Sequence, residues 1–343
     1  MRIKNMLVTI AVLFIAAFLF CYFLNPVFEK FARKKGYLTV PAPQKIDIRQ
    51  LPYLGGLAMF SAFIAVLSTG CFWRPQIIDL NTFFPLITAA SVIVFFGAFD
   101  DIRDLSPGYK LIGQCLGAGI ITFLSVRTEL IYLNSVLNIF LSVFWIMLVI
   151  NAFNLLDILD GLAGGISLIN LITFFIFAYF TNNTFVMIIS AVLAGALCAF
   201  LRYNLPPAKI FMGDAGSQFL GFILAVMAVS LSFATPGREV GLVIPLVVLS
   251  IPLMDILFVV FMRIAQKKSI FLKSNDHFVF RMLKYGVSNV NILKIMILLS
   301  VLTSGCALII FNVSNMAGGL VFCLLMLGLL FLGNKLSRLK MHE

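Results

Sequence analysis

Long apolar runs, separated by short polar segments, extend along the whole chain. A helix needs about 20 apolar residues to cross the hydrocarbon core of a bilayer. These runs are continuous rather than alternating with every second residue, which favours spanning helices over barrel strands. Eleven runs of this kind occur, at residues 6–24, 53–70, 83–99, 109–126, 136–152, 161–180, 184–201, 217–234, 240–262, 292–312 and 316–333. The pattern predicts an all-α integral membrane protein, a bundle of about 11 transmembrane helices in a single polytopic domain over residues 1–343.

Composition agrees with this pattern. Apolar residues make up 62% of the 343 residues and charged residues 11%, with a mean hydropathy of +1.08. Soluble domains carry about 45–50% apolar and about 25% charged residues, so a soluble globular domain or a disordered chain is excluded. The first run is longer than the apolar core of a signal peptide and lacks a cleavage site, so we expect it to be retained as a span. The six cysteines are scattered, without the spacing of a zinc site or a disulfide framework.

The basic residues predict the orientation of the bundle. A net charge of +11 would fit a nucleic-acid-binding protein, but 20 of the 25 lysines and arginines fall in alternate loops on one side. The positive-inside rule then places the N-terminus outside and the C-terminus in the cytoplasm. The basic face would meet anionic membrane lipid, so no nucleic-acid partner is needed to explain the charge.

Acidic side chains concentrate in the same cytoplasmic segments. Carboxylates close to hydrocarbon are costly and indicate function. Half of the 14 acidic residues lie in four predicted inside segments, namely Asp100, Asp101, Asp104, Asp157, Asp160, Asp214 and Asp276. Asp255 differs, since it lies within a span, and we expect it to face a cavity or to pair with a basic neighbour such as Arg263.

The first acidic motif, Asp100-Asp101-Ile102-Arg103-Asp104, ends the third run. If the helix continues, Asp101 and Asp104 share a face while Asp100 points elsewhere. Packed carboxylates repel one another unless a cation holds them, and oxygen-rich sites suit magnesium. The alternative is an ordinary polar cap on the end of a helix.

The second motif is a polar stripe at the end of the fifth run. Asn151, Asn154, Asp157 and Asp160 recur every three residues, and the first three stay within an arc of about 120° on a helix. Polar side chains on one side of an apolar helix should line a pocket or pair with partners. The alternative is a polar seam between packed helices.

The third motif, Gly213-Asp214-Ala215-Gly216-Ser217, precedes the eighth run. The first N–H groups of a helix are unpaired and attract anions, so the motif suits a site for a metal ion and a diphosphate, with these N–H groups binding phosphate oxygens. The alternative is that Asp214 and Ser217 merely cap the helix.

The fourth motif lies after the ninth run. His277 and Arg281 are four residues apart and would share one face of a helix. The alternative is an amphipathic helix on the membrane surface, with Phe278 and Phe280 in lipid and the basic groups on lipid headgroups.

Five blocks in this order resemble the polyprenyl-phosphate N-acetylhexosamine-1-phosphate transferases, glycosyltransferase family 4. The blocks read P-Y-L-G-G (52–56), D-D-I-R-D (100–104), N-A-F-N-L-L-D-I-L-D-G-L (151–162), N-L-P-P-A-K-I-F-M-G-D-A-G-S (204–217) and the His277 segment. The family's last motif carries further histidines, whereas this chain reads His277-Phe278-Val279-Phe280. The missing histidine run, followed by Arg281, favours the N-acetylglucosamine branch over the related phospho-MurNAc-pentapeptide translocase.

The resemblance implies a transferase of the inner (plasma) membrane that is active at the cytoplasmic face. The expected partners are membrane lipid, undecaprenyl phosphate and a UDP-N-acetylhexosamine, and the expected cofactor is Mg²⁺, with Mn²⁺ as an alternative. GlcNAc-1-phosphate would pass to the lipid, release UMP and start a lipid-linked cell-envelope glycan for lipopolysaccharide or teichoic acid. The alternatives are a translocase for UDP-MurNAc-pentapeptide and a non-enzymatic transporter or lipid-binding paralogue. A homodimer is left open.

The resemblance also implies roles for individual residues. Asp214 would bind the metal ion with Asn154, Lys110 would hold the lipid phosphate, and His277 and Arg281 would contact the sugar phosphate. Catalytic roles fall to Asp100, Asp101, Asp157, Asp160 and His277. Substrate-binding roles fall to Arg49, Asp104, Lys110, Asn151, Asn204, Phe211, Gly213 and Arg281.

Overall fold

Helices account for most of the chain in the computed structural model. The structure describes residues 3–39, 49–74, 79–231, 233–234, 237–269 and 276–338. A short 3₁₀ segment, Glu239–Val243, precedes α9. In chain order the helices are α1 Ile3–Lys35, α2 Gly55–Trp73, α3 Leu80–Arg103, α4 Pro107–Leu124, α5 Ser135–Leu156, α6 Leu162–Phe180, α7 Thr184–Asn204, α8 Gly213–Ser230, α9 Ile244–Val248, α10 Ser250–Ala265, α11 Phe278–Lys284, α12 Asn289–Asn312 and α13 Asn315–Ser337.

Several of these helices can cross a membrane. Within the described residues, nine are long and apolar enough: α1, α2, α3, α5, α6, α7, α8, α12 and α13. A bent pair, Glu239–Val248 and Ser250–Ala265, meets at 76° and makes a tenth if it forms one span. The 18-residue α4 is not among the nine, since Lys110 and Gln114 lower its mean hydropathy. The all-helical membrane bundle is confirmed in outline, while the number of 11 spans and the orientation stay predictions.

Helix α8 lies at the centre of the bundle. Every residue from Ala215 to Ala228 is buried, and α8 packs against α2, α3, α5 and α6. A helix that is apolar on all sides is stable only where other helices surround it. The first turn of α8, which carries Asp214, is therefore enclosed by neighbouring helices rather than presented on an open loop.

Glycines allow two of these neighbours to approach closely. A Cβ atom added at Gly97 of α3 would lie 2.7 Å from the Cα atom of Ala215, and one added at Gly56 of α2 would overlap the backbone of Gly216. Any larger residue would push these helices apart. The last turn of α3, with its two aspartates, is thus held against the first turn of α8.

Backbone hydrogen bonds fix the segment that leads into α8. The Phe211 N–H donates to the Pro52 carbonyl at 2.7 Å, the Gly55 N–H to the Phe211 carbonyl at 3.0 Å and the Gly56 N–H to the Met212 carbonyl at 2.9 Å. Gly213 then starts the helix with φ +70°, a conformation that glycine adopts without a steric penalty. The Pro52–Gly56 block therefore positions the start of α8.

Candidate active site

Two carboxylates and an amine meet where α3, α4 and α8 converge. Lys110 Nζ, in the first turn of α4, forms ion pairs with Asp100 Oδ2 and, at 3.3 Å, with Asp214 Oδ2. Asp100 also accepts the Leu105 N–H at 2.7 Å. The side chains of Lys110 and Asp214 are 25% and 32% exposed, so a ligand can reach both. The amine offsets the repulsion between the two carboxylates, and it is placed to attract an anion.

Asp101 has a different function from its neighbour, because it caps α8. Its Oδ1 accepts the Asp214 N–H at 2.8 Å and its Oδ2 accepts the Ala215 N–H at 3.2 Å. A carboxylate at a helix N-terminus satisfies unpaired N–H groups and interacts favourably with the helix dipole. The expectation that these two N–H groups bind phosphate is therefore wrong, since Asp101 already occupies them.

The predicted pairing of Asp101 with Asp104 on one helical face is also wrong. α3 ends at Arg103, and Asp104 adopts a left-handed conformation with φ +47°. Asp104 is exposed, whereas both Asp100 and Asp101 contact groups of α4 or α8. Because α3 ends before Asp104, the three-residue spacing does not place Asp101 and Asp104 on one helical face.

The polar stripe of α5 reaches the same place. Asn154 Nδ2 donates to Ser217 Oγ at 3.0 Å, and Asn154 also hydrogen-bonds the Asp214 side chain. Ser217 Oγ donates in turn to the Gly213 carbonyl at 3.1 Å. The structure thus brings together Asn154 and Asp214, the two residues expected to bind a metal ion.

A second polar cluster lies on the turn between α5 and α6. Arg49 Nη2 forms an ion pair with Asp160 Oδ2 at 2.7 Å, and the same oxygen accepts the Ala208 N–H at 2.9 Å. Arg49 Nη1 donates to the Ala208 carbonyl at 3.3 Å. The exposed arginine therefore joins the α5–α6 turn to the segment that precedes α8.

Asn204, expected to bind substrate, hydrogen-bonds the backbone of two loops. Its Oδ1 accepts the Gly161 N–H at 3.0 Å and its Nδ2 donates to the Ile210 carbonyl at 2.9 Å. The residue is only 2% exposed. Its described contacts shape the loops around the site.

The phenol of Tyr53 lies near Asp101, at the α3–α4–α8 junction. Burial and, to a lesser extent, the nearby carboxylate of Asp101 raise the pKa of Tyr53, because both disfavour the tyrosinate. Tyr53 therefore stays neutral at neutral pH and adds no further negative charge beside the carboxylates.

An apolar groove opens beside Lys110. It has a volume of about 290 Å³ and is lined by Phe95, Phe96, Phe99, Leu105 and Tyr109. A second groove of about 400 Å³ shares Phe95 and Phe96 and is also lined by Ile87, Thr88, Ser91 and Val92 of α3. From Ile87 to Phe99 the helix rises by about 18 Å. The anion-attracting amine therefore lies at the end of a long apolar surface.

Comparisons with known proteins identify the family of this chain. The sequence profile of glycosyl transferase family 4 matches residues 83–232. A Bacillus subtilis (strain 168) protein, named probable undecaprenyl-phosphate N-acetylglucosaminyl 1-phosphate transferase, is 30% identical over 297 residues, covering 82% of this chain and 80% of the relative. The chain belongs to glycosyl transferase family 4.

Two further relatives carry names from the two branches of glycosyl transferase family 4 considered above. A decaprenyl-phosphate N-acetylglucosaminephosphotransferase of Mycobacterium tuberculosis is 27% identical, covering 84% of this chain and 79% of the relative. A phospho-N-acetylmuramoyl-pentapeptide-transferase of Campylobacter lari is 30% identical, covering 63% of this chain and 71% of the relative. The resemblance drawn from the five sequence blocks is thereby confirmed.

The histidine segment of this family member is buried. His277 precedes the first residue of α11, and its Nδ1 lies 2.8 Å from Asp255 Oδ2. The other oxygen of Asp255 accepts the Phe278 N–H at 2.9 Å. Of the two expectations for Asp255, pairing with a basic neighbour is confirmed, but that neighbour is His277 rather than Arg263.

Arg281 is fully buried and joins α11 to the C-terminal helix. Its Nη2 pairs with Asp276 Oδ1 at 2.6 Å, and its Nη1 donates to the Leu336 carbonyl at 3.1 Å. The alternative of a surface amphipathic helix is wrong, because Arg281 and Phe278 are 0% and 1% exposed. A contact of Arg281 with a sugar phosphate stays a prediction.

The predicted site residues thus fall into separate groups. The α3–α4–α8 junction gathers Asp100, Asp101, Lys110, Asn154, Gly213 and Asp214. The α5–α6 turn gathers Arg49, Asp160 and Asn204, with Asp157 directly after the end of α5 and half-buried Phe211 on the segment before α8. Asn151 lies in the bundle beneath the first group, and Asp104, His277 and Arg281 lie apart from it. Lys45, a basic residue four positions before Arg49, is outside the described residues.

Sequence reasoning missed two residues beneath the first group, Gln114 and Gln218. Each is 2% exposed and hydrogen-bonded inside the bundle. A signal was present, because each follows a predicted site residue, Lys110 or Asp214, by four positions in an otherwise apolar helix. Polar residues at this spacing share a helical face.

Proposed function

We propose that this chain transfers N-acetylglucosamine-1-phosphate from UDP-N-acetylglucosamine to undecaprenyl phosphate, releasing UMP and starting a lipid-linked cell-envelope glycan. The observation that carries the proposal is the meeting of Lys110 with Asp100 and Asp214 beside an apolar groove, in a member of glycosyl transferase family 4. The names of two relatives specify N-acetylglucosamine and a polyprenyl phosphate. This chemistry needs an anion site and an apolar surface side by side.

The apolar groove fits the tail of the lipid substrate. Lys110 would bind the phosphate of the lipid, and the isoprenoid chain would run along α3 past Phe99 and Phe95. Lipid tails are as apolar as the groove, so burial adds little free energy inside a membrane. The groove therefore acts mainly by orienting the phosphate toward the carboxylates.

We propose Mg²⁺ as the cofactor, with Mn²⁺ as an alternative, held by Asp214 and the amide oxygen of Asn154. Among the residues that the structure describes, no group of three or more His, Cys, Asp or Glu side chains is arranged as a metal site. Mg²⁺ does not need such a group, since it often binds one or two carboxylates together with substrate phosphates and water. Asp214 supplies a carboxylate oxygen, and Asn154 would supply its amide oxygen once the amide, whose Nδ2 donates to Ser217, is turned over. When bound, the ion would neutralise charge on the diphosphate.

The reaction is a direct displacement in this proposal. An oxygen of the lipid phosphate forms a bond to the phosphorus that carries the sugar, and the bond to the bridging oxygen breaks, so that UMP leaves with the electron pair. A phosphate monoester has a second pKa of about 6, so the attacking group needs no general base at neutral pH. The Lys110 amine would reduce the repulsion between the two anions and hold them in line.

Asp100 would serve to position Lys110. One of its oxygens contacts the Lys110 amine and the other accepts the Leu105 N–H. These contacts stabilise the carboxylate as an ion-pair partner. A covalent intermediate on Asp100 would require its attacking oxygen to give up one of these contacts, which favours direct attack by the lipid phosphate.

The site would face the cytoplasm of a multi-pass protein in the inner (plasma) membrane. Support comes from the 20 basic residues that the sequence places in alternate loops on this side. Reagent labelling of single cysteines in predicted loops of whole cells would test this orientation.

The activity test measures UMP release by the purified full-length protein. The assay contains undecaprenyl phosphate, Mg²⁺ and one of several UDP-sugars, including UDP-N-acetylglucosamine and UDP-MurNAc-pentapeptide. We expect turnover with UDP-N-acetylglucosamine and at least a hundredfold loss in Asp214→Asn, because the amide removes the charge that would hold the metal ion. Chelation of divalent ions should stop turnover in the same way.

Asp79→Asn is the matched control for Asp214→Asn. This variant has the same aspartate-to-asparagine change at the start of α3, where the Asp79 side chain accepts the Asn81 N–H. It should keep full activity. Turnover with UDP-MurNAc-pentapeptide alone would favour the translocase. No UMP release with any sugar, or full activity in Asp214→Asn, would refute the proposal.

A further inference from the structure

Three amides form a layer inside the bundle, one each from α4, α5 and α8, and of these Gln114 and Gln218 are buried while Asn151 is half-buried. Gln114 Oε1 accepts from Asn151 Nδ2 at 2.7 Å. Gln114 Nε2 lies 3.4 Å from both Asn151 Oδ1 and Gln218 Oε1. Gln114 therefore lies at the centre of the layer and links three helices through side chains.

This amide layer lies one helical turn from the α3–α4–α8 junction. Residues three or four positions apart lie on the same helical face, so each amide supports the site residue above it. The pairs are Lys110 with Gln114, Asn154 with Asn151, and Asp214 with Gln218. Side chains of α4 and α8 thus meet twice, once through the charged groups Lys110 and Asp214 and once through the amides Gln114 and Gln218.

The hydrogen bonds of the amide layer allow only one arrangement of the three helices. An amide buried without its hydrogen bonds costs about 1–3 kcal/mol, and Gln114 and Gln218 are each only 2% exposed. Rotating or sliding one of the three helices would break these bonds. The layer therefore fixes the rotation and height of α4 relative to α5 and α8.

Lys110 depends most on this restraint. α4 packs along α3 and α5, and the side chains of Lys110 and Gln114 extend from it to α8. A small rotation of α4 would move the Lys110 amine away from Asp214, because the amine is at the end of a long side chain.

We propose that Gln114, Asn151 and Gln218 are positioning residues that hold the Lys110 amine in place for the lipid phosphate. This inference rests on the proposed function. Asn151 then acts inside the protein rather than on the substrate. The amides contribute to catalysis through Lys110, so their effect should vanish when Lys110 is absent.

A double-mutant cycle with Gln114→Met and Lys110→Ala tests this dependence. Methionine has nearly the volume of glutamine but cannot form the amide hydrogen bonds. We expect Gln114→Met to lower kcat/KM for undecaprenyl phosphate about tenfold and to leave the KM for the UDP-sugar within about twofold. In the Lys110→Ala background the same change should lower kcat/KM less than about twofold, since interacting residues are non-additive. An equal loss in both backgrounds would overturn the proposal.

A second variant keeps the proposal testable if Gln114→Met fails to fold. Gln218→Met removes only the 3.4 Å contact and should give the same selective loss, but a smaller one. The double variant Gln114→Asn/Asn151→Gln exchanges the lengths of the two amide side chains, so that one long and one short amide still face each other. It should be more active than Gln114→Asn alone. Failure of the exchange to recover any activity would count against the positioning role.

Asn170→Leu is the control, because Asn170 is a fully buried amide on α6 without a hydrogen-bond partner among the described residues. It should leave kcat/KM unchanged.

A readout without turnover is the labelling of Lys110 by an amine reagent, followed by mass spectrometry. Gln114→Met should increase this labelling several-fold, and unchanged labelling would overturn the proposal. If the unaltered protein releases no UMP but Gln114→Met still exposes Lys110, the proposed function fails while the positioning layer stands.

Discussion

Replacing Asp101 by asparagine separates structural from catalytic carboxylates. Asp101 and Asp100 are adjacent, and resemblance alone gives both the same role. The structure distinguishes them, since Asp101 uses both oxygens to accept the N–H groups of Asp214 and Ala215. Asparagine has the same shape but only one acceptor oxygen, so one N–H of α8 would face the amide NH₂ group.

The expected loss of stability follows from these contacts. A hydrogen bond to a charged group contributes about 1.5–3 kcal/mol, and a negative charge at a helix N-terminus adds about 0.3–1 kcal/mol. Losing the charge of Asp101 also relieves repulsion with Asp214, which offsets part of this sum. We therefore expect Asp101→Asn to lower the free energy of unfolding by about 2 kcal/mol.

Thermal unfolding in detergent, followed with a thiol-reactive dye, measures this change. Cys21 and Cys71 are buried and become reactive on unfolding. Asp101→Asn should lower the Tm by several degrees, with activity falling in parallel as Asp214 loses its fixed position. A variant that unfolds at the original Tm but has no activity would refute the capping role and make Asp101 a catalytic group.

Asp79→Asn provides the matched comparison at an exposed cap. Hydrogen bonds from the Thr82 hydroxyl and the Asn81 N–H hold the pKa of Asp79 below its ordinary value. Asparagine and aspartate are about equally good at a helix N-terminus, and water can solvate whatever group is left over. The Tm of Asp79→Asn should therefore stay close to that of the unaltered protein.

Two further changes test the buried cation and the apolar groove. Arg281→Leu should lower the free energy of unfolding by about 3–5 kcal/mol, because it breaks the buried ion pair with Asp276. Thermal unfolding checks this, and an unchanged Tm with lost transfer would instead support contact with substrate. Leu105→Trp should narrow the 290 Å³ groove and raise the KM for undecaprenyl phosphate at least tenfold in the UMP assay. Ile172→Trp, at an exposed position of α6, is its control, and equal effects of the two tryptophans would argue against a lipid tail in the groove.

Apolar periodicity predicts the helices well in this chain, because a membrane leaves the backbone few other ways to satisfy its hydrogen bonds. The predicted run 184–201 corresponds to α7, Thr184–Asn204. The run 240–262 is less simple, since the chain bends by 76° between Val248 and Ser250. Pro245 and Pro252 flank this bend, but hydropathy averages over such a break and cannot locate it.

The five sequence blocks predicted which polar residues gather at the α3–α4–α8 junction better than what each of them contacts. Asn154 and Asp214 were expected together and do meet. The cap formed by Asp101 was not foreseeable, because it depends on Gly97 allowing α3 to approach Ala215. A pair such as Asp255 and His277 is equally invisible in the sequence, since 22 positions and a loop separate its members.

The difference between Asp100 and Asp101 follows from the direction in which each side chain leaves the last turn of α3. Successive residues are rotated by about 100° on a helix, so two adjacent carboxylates leave it in different directions. One contacts the Lys110 amine, which a ligand can reach, while the other contacts backbone N–H groups of α8. An adjacent pair of aspartates at the end of a helix therefore supplies two functions at once. The half-buried carboxylate of Asp214 lies between them, on the turn that Asp101 stabilises and beside the amine that Asp100 contacts.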